Sequence, residues 1–419
     1  MTKYMKNISV AADVDVLVCG GGPAGVAAAL AAARNGASVQ LLEANGCLGG
    51  IWTAGMMSFI IDARDKGTIL RELMTTLAER GARGRYRDVY HPETVKLLLE
   101  EMCIANGIGI RLHTRVVAAE VKNNQIVAVT TESKSGRETW RAKAVIDCTG
   151  DGDLAAAAGC GYDFGRGGNG ETQPMSMIAL LGGLKYEDMV TYLIGEKDSP
   201  KQRLYDDMVA AGAKPSYGQP TLFHIDDDLY LLMSNHEYQV SGINADDLTR
   251  ATISGRKELN QQITALRNYG GAWHNVQLLS TSDYIGVREG RRIHGRYTVS
   301  ADDLNTGCRH DDAICRVYFG VDIHSPDPGH GVGYSNEGVT AKPYDIPLRA
   351  LLAKDIESLL LAGRCISGDF YAHASYRVTG SAVRLGEAAG VCAAIASANN
   401  IKPHEVPYQE VQKLLNSVI

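Results

Sequence analysis

Residues 14–43 read VDVLVCGGGPAGVAAALAAARNGASVQLLE: an apolar run, three consecutive glycines, a stretch of small residues, and a second apolar run closed by Glu43. Val14 to Cys19, apolar but for Asp15, read as a buried parallel strand. Gly20 permits a tight turn, Gly22 lets the backbone approach a pyrophosphate, and Gly25 lets helix and sheet pack closely. The helix that follows points its free N–H groups and positive dipole end at those phosphates. Glu43 ends the second strand where a carboxylate can accept both hydroxyl protons of a ribose and repel a 2′-phosphate. The stretch therefore predicts a dinucleotide site on a Rossmann-like sheet. Residues 165–170, GRGGNG, satisfy the same glycine pattern, but no strand precedes them and Pro174 follows, so they read as a loop.

At 419 residues the chain exceeds one ordinary hydrophobic core, which predicts two units on one polypeptide. A net charge of −6 offers no basic footprint for nucleic acid or an anionic membrane, and small-molecule chemistry is favoured. The N-terminal MTKYMKNISVAAD lacks an apolar core, and the one long Ala-rich run belongs to the glycine-turn helix. Neither export nor membrane spanning is supported, and a cytoplasmic protein is expected. Nine cysteines without a C-x-x-C pair read as reduced thiols, Cys308 and Cys315 included. Asp151 and Asp153 in GDGD read as helix-capping or ribose-contacting acids, and no metal is expected.

Helical spacing appears at 67–81 and 92–106, and residues 108–153 alternate like an antiparallel meander ending in a buried strand, Ala144 to Cys148. The middle is more polar and holds a helix around 244–268 that Asn244 can cap. Ile356 to Ala362 then reads as a buried strand and Thr379 to Ala398 as a small-residue helix. The plan is discontinuous: cofactor unit 1–165, substrate unit 166–344, cofactor unit resumed at 345–419.

Four segments together resemble the FAD-dependent oxidoreductase family, whose flavin fold is shared with the fumarate reductase flavoproteins. GGGPAG with Glu43 looks like the ADP half of an FAD site, and CLGGIWTAGMM is similar to the double-glycine loop beneath the isoalloxazine. VIDCTGDGDLAAAAG resembles the strand end that closes over the adenosine side, and LLLAGRCISGDFYAHASYRVTGSAVRLGEAAG is similar to the C-terminal flavin motif. The resemblance implies an α/β fold: a glutathione reductase-type FAD-binding domain with an inserted α+β substrate domain. It implies FAD contacts at Gly20, Gly22, Pro23, Ala24, Gly25, Glu43 and Ala44, and at Gly49, Gly50, Thr53 and Val117. Further contacts fall at Thr149, Gly150, Asp151, Gly363, Arg364, Thr379, Gly380 and Ser381. Thr53 is expected near flavin N5. The helix starting at Thr379 is expected to aim its N-terminus at the N1–C2=O edge, with Gly380 making room. Many relatives have Gly-Asp where this chain has Gly363-Arg364, a departure that leaves the ribityl role without its usual acid; Asp369 is the nearest alternative.

YIGVREGRRIHGRYTVSADD and DDAICRVYFGVDIHSPD also look like this family, in the region that faces the flavin from the substrate side. Arg288, His324 and His373 are the catalytic candidates carried over, with Tyr344 behind them and Gln173, Pro174 and Met175 as lining residues. Arg291, Arg292 and Arg296 read as a charge-paired solvated face near Asp302 and Asp303. The implied activity is hydride transfer between a small polar CH–OH or CH–NH substrate and flavin N5, with an imidazole as base. The alternatives are reduction of an activated C=C bond, with Arg288 or Arg377 as acid or carboxylate clamp, and a redox sensor or assembly subunit without turnover. Aromatic hydroxylation is disfavoured because the DGD turn lacks the Ser and Arg continuation. The electron acceptor is unnamed, and homo-oligomeric assembly is compatible with the sequence.

Overall fold

The computed structural model describes residues 8–86, 88–168, 170–195, 199–327 and 333–416. Strand β1 (Ser9–Cys19) leads through the glycine turn into helix α1 (Pro23–Arg34) and back to β2 (Val39–Leu42). β3 (Gly109–Arg111) lies outside β2, giving the parallel order β3-β2-β1, and β6 (Gly136–Asp147) runs parallel to β1 on its other side. β4 (Arg115–Lys122) and β5 (Gln125–Ser133) complete the antiparallel meander on the first half of β6. The second half of β6 takes the parallel strand Leu359–Leu361, which returns the chain's last part to the first sheet.

Glycine decides how α1 packs. A Cβ on Gly25 would lie 1.7 Å from the Gly20 carbonyl oxygen, and one on Gly20 would lie 2.4 Å from that of Cys148. On its other side α1 meets the helix Thr379–Asn399, where Cβ atoms on Gly386 and Gly390 would come within 2.0 and 2.2 Å of the Ala24 and Ala28 carbonyls. Small residues thus let two backbones touch, and their contact is continuous with the core of the parallel sheet.

A second, antiparallel sheet has the order Gln277–Thr281, Ile178–Gly182, Leu229–Met233, Thr221–Asp226. One face packs beneath the helix Ala245–Tyr269 through Leu181, Leu232, Leu259 and Leu266. Asn244 caps that helix as the sequence predicts, accepting from the Asp246 and Asp247 amides at 2.9 and 3.0 Å. The other face turns Ile178, Phe223 and Leu231 onto Met56 and Val89 of the first unit, with Phe59 stacked on Phe223 at 5.8 Å. This apolar contact joins the antiparallel sheet to the first unit. Residues 166–344 divide their packing: Ile293, Val299, Leu304, Ile314 and Ile323 join the core of the parallel sheet. The second glycine pattern folds as a turn at Arg166–Gly168, with Asn169 outside the described residues. The nine cysteines are unpaired. Among the described residues no single helix is long and apolar enough to cross a membrane.

Candidate active site

The turn after β1 is built to hold a diphosphate. Gly22 caps α1 in extended geometry (φ −70°), and no atom lies within 4 Å of the position its Cβ would take. Pro23 begins the helix without needing a donor, Ala24 follows it, and the Val26 amide is where carbonyl pairing starts, to Gly22 at 3.0 Å. The first N–H groups of a helix lack intrahelical partners and attract anions. Glu43 is buried at the end of β2. Its Oε2 accepts from the Gly21 amide at 2.6 Å, and its Oε1 from the Asn45 amide and side chain, both at 2.7 Å. The carboxylate therefore shapes the turn, and with three of about four acceptor positions taken it keeps one, on Oε2, for a ribose hydroxyl. Ala44 is exposed beside it, and Val117 is exposed at an irregularity of β4. We expect Glu43→Ala to weaken FAD binding at least tenfold and to lower stability by about 1–3 kcal/mol, the cost of a buried amide left unpaired. Equilibrium dialysis with FAD and denaturant melts read the two effects separately, and unchanged affinity would make Glu43 structural only.

The double-glycine loop closes over this turn. The Gly49 amide donates to the Gly21 carbonyl at 2.8 Å, and a Cβ on Gly50 would lie 3.0 Å from the Gly22 Cα. Both glycines adopt positive φ, 101° and 53°, which favours residues without a Cβ. Thr53 is buried, and its hydroxyl donates back to the Leu48 carbonyl at 2.5 Å, holding the loop together. Thr149 is likewise internal, donating from N and Oγ1 to Asp147 and accepting from the Asp153 amide. Gly150 adopts φ +83° because Arg364 crosses it; Arg364 pairs with Asp151 at 2.9 Å and donates to the Val287 carbonyl. Gly363, at φ +85°, sits against Ala24.

The start of the C-terminal helix is arranged differently from the expectation. Gly380 donates to the Ile61 carbonyl at 3.0 Å, Ser381 donates to the Asp62 carboxylate at 3.1 Å, and a Cβ on Gly380 would lie 2.2 Å from the Asp62 carbonyl oxygen. The close approach that requires glycine there is to the Ile61–Asp62 backbone. The Thr379 hydroxyl beside it is buried without a protein partner. Asp369 caps the helix Phe370–Tyr376 through the Ala372 amide at 2.8 Å and also accepts from Ala301, which explains it without a ribityl role.

Away from the glycine turn, Asp322 and His324 come together. His324 Nε2 lies 3.3 Å from Asp322 Oδ2, which also accepts from Arg377 at 3.0 Å. The His324 amide donates to the Gln173 side chain at 3.1 Å, and its Nδ1 is buried without a protein partner. His236 meets the imidazole edge-on at 5.0 Å and stacks on Tyr217 at 4.2 Å. Burial, then the nearby Arg288, lower the His324 pKa to about 4 against the opposing pull of Asp322, so the ring is neutral at neutral pH. With Nε2–H directed at Asp322, Nδ1 is left as a free base. Arg288 donates to the Pro174 carbonyl and the Ser176 hydroxyl. His373 is fully buried with both ring nitrogens unpartnered, and burial and the neighbouring arginines hold it neutral.

Two expectations fail here. Tyr344 is fully buried and bonds Ser375, so it belongs to the core. Arg291 and Arg292 do not form a solvated face: Arg292 is buried against Glu289 at 2.8 Å, and Arg291 pairs with Asp153 at 2.9 Å; Asp303 instead caps a helix and accepts from Tyr297. Asp303, Cys308 and His310 are the residues whose potential metal-ligand atoms lie within 4.8 Å of one another among those described, and Asp303 already spends both oxygens on protein donors. Sequence reasoning missed Asp322, His236 and Tyr217. Asp322 had a signal, since residues two apart in extended chain share a face.

The sheet order and the glycine turn with its acid define a dinucleotide-binding fold of the Rossmann type. The chain belongs to the FAD dependent oxidoreductase family, whose model matches residues 15–415. FAD is its cofactor, and the open face of Gly22 and the remaining acceptor position of Glu43 fit the ADP moiety. The chain is 32% identical over 161 residues to thiamine thiazole synthase from Methanothermobacter thermautotrophicus, covering 35% of this chain and 60% of that protein. It thus spans less than two thirds of the length of that curated relative. The fold is similar to anhydrotetracycline hydroxylase from Streptomyces rimosus (TM-score 0.50, 14% identity, 96% of this chain and 65% of that one). A geranylgeranyl bacteriochlorophyll reductase-like protein from Thermoplasma acidophilum is also similar (TM-score 0.48, 14% identity, 98% and 84%).

Proposed function

We propose that this FAD-dependent oxidoreductase dehydrogenates a small polar substrate at a carbon bearing a hydroxyl or amine, with His324 as the base. The observation that carries the reading is the buried Asp322–His324 pair, 3.3 Å apart, with His324 Nδ1 unpartnered. Asp322 orients the ring, and the hydrogen bond from His324, then the Arg377 charge, hold Asp322 ionised against its burial. His324 Nδ1 then takes the proton from the substrate's O–H or N–H as its C–H bond breaks. FAD supplies the two-electron chemistry when bound. Gly22, Glu43 and the α1 N-terminus hold its ADP portion.

An anaerobic screen of polyols, sugars, hydroxy acids, amines and unsaturated acids tests the reading. The expected result is bleaching of oxidised holoenzyme by a hydroxyl- or amine-bearing compound. Bleaching by none of them, with reoxidation of chemically reduced enzyme by an unsaturated acid, would replace dehydrogenation by C=C reduction.

A further inference from the structure

The substrate side of the cleft carries more positive charge than the protein balances. Three neighbouring arginines are matched: Arg364 by Asp151, Arg292 by Glu289, Arg291 by Asp153. Around His324 the count differs. Arg288, Arg377 and Lys201 all lie within electrostatic reach of Asp322, and the second carboxylate that reaches Arg377, Glu289, is already paired with Arg292. Asp322 is committed to Arg377 and His324. Arg288 donates to two neutral oxygens, at 2.7 and 2.9 Å, and no carboxylate among the described residues pairs with it. A cation withdrawn from water without a counter-ion is costly, and here a second arginine adds repulsion.

The unmet hydrogen bonds have the same sign. Gln173 is nearly fully buried, and with its Oε1 taken by the His324 amide, its Nε2 is left as a donor without an acceptor. Arg377 Nε is a second buried donor without one. The site therefore lacks negative charge and acceptor oxygens together, and both sit next to the imidazole base.

We propose that the substrate carries a carboxylate seated between Arg288 and Arg377, with the reacting hydroxyl or amine turned to His324. The substrate class is then hydroxy or amino acids rather than neutral polyols or sugars. A carboxylate supplies four acceptor positions and one negative charge in a planar group that matches the guanidinium fork. This inference rests on the dehydrogenase reading for the position of the reacting group, but the anion seat stands on the charge count alone.

Holoenzyme is titrated at constant ionic strength with the sodium salts of lactate, oxalate and malonate, and with lactamide and glycerol as neutral counterparts. Flavin absorbance changes and melting temperature report binding. At least one carboxylate should saturate at one per chain, with lactamide and glycerol binding at least tenfold more weakly. Arg288→Gln should weaken the carboxylate by roughly 10- to 100-fold at unchanged FAD content, the range expected for a charge-assisted hydrogen bond. Arg288→Lys should recover part of the loss, because it restores charge without the fork. His324→Ala should still bind the anion, so a variant that binds but does not reduce flavin separates this inference from the base assignment. Equal binding of lactamide, no saturable carboxylate, or unchanged affinity in Arg288→Gln overturns it. Loss of FAD from Arg288→Gln also overturns it, because the guanidinium would then serve the cofactor.

Discussion

Replacing His324 by alanine should lower the rate of anaerobic flavin reduction by about 10² to 10⁴, the usual worth of a positioned general base. FAD content should not change, because none of the groups around Gly22 and Glu43 touch the ring. The pH profile carries the sharper signature. Burial and Arg288 hold the free-enzyme imidazole at a pKa of about 4, so the acid limb of kcat/KM belongs near that pH rather than near neutrality. A substrate carboxylate that offsets Arg288 removes part of the cause of the depression, so the limb of kcat should lie at higher pH than that of kcat/KM. The two limbs are measured by stopped-flow reduction over a substrate series at each pH. An Ala variant that keeps rate and both limbs removes His324 from the mechanism and turns attention to His373.

The first βαβ unit was legible because each constraint is local: a buried strand, a turn with no room for side chains, a small-residue helix, an acid at a fixed separation. The Asn244 cap was legible for the same reason. What sequence could not supply were the partners brought by folding. Thr53 and Gly380 stand at positions the family resemblance assigns to the flavin, yet their close contacts are Leu48 and Asp62. The first is local packing within a loop and the second joins segments far apart in the chain, and neither is visible to any periodicity. Tyr344 lies in a four-residue strand buried along its whole length, where a phenol packs as a hydrophobe with one hydroxyl partner. The arginine run was misread because Arg291 finds its acid, Asp153, in a distant segment, and because Arg292 turns inward to pair with Glu289 three residues before it. Asp322 was within reach, two residues before the histidine that sequence reasoning did select.

Two glycines of the turn pattern, Gly22 and Gly25, should fail in opposite ways when each is replaced by alanine. At Gly25 the new methyl falls 1.7 Å from the Gly20 carbonyl oxygen and 3.2 Å from the Cys148 side chain. Gly20 cannot retreat, since it adopts φ +101° and abuts Cys148 at the end of β6. Helix α1 cannot retreat either, because Gly386 and Gly390 already let the C-terminal helix touch its backbone. With relief blocked on both sides, Gly25→Ala should cost about 3 kcal/mol or more and release FAD with the fold. Gly22 is the control. Its φ suits any residue, and nothing stands within 4 Å of the added methyl. Gly22→Ala should therefore melt within about 0.5 kcal/mol of wild type, as substitutions without packing consequences do. Its methyl would occupy the space through which the diphosphate approaches α1, so FAD affinity should fall by at least two decades. Denaturant melts and FAD titration of the two variants decide the matter. A Gly22→Ala protein that binds FAD normally would show that the turn does not cradle the phosphates, and a Gly25→Ala protein of normal stability would show that the turn has room to move.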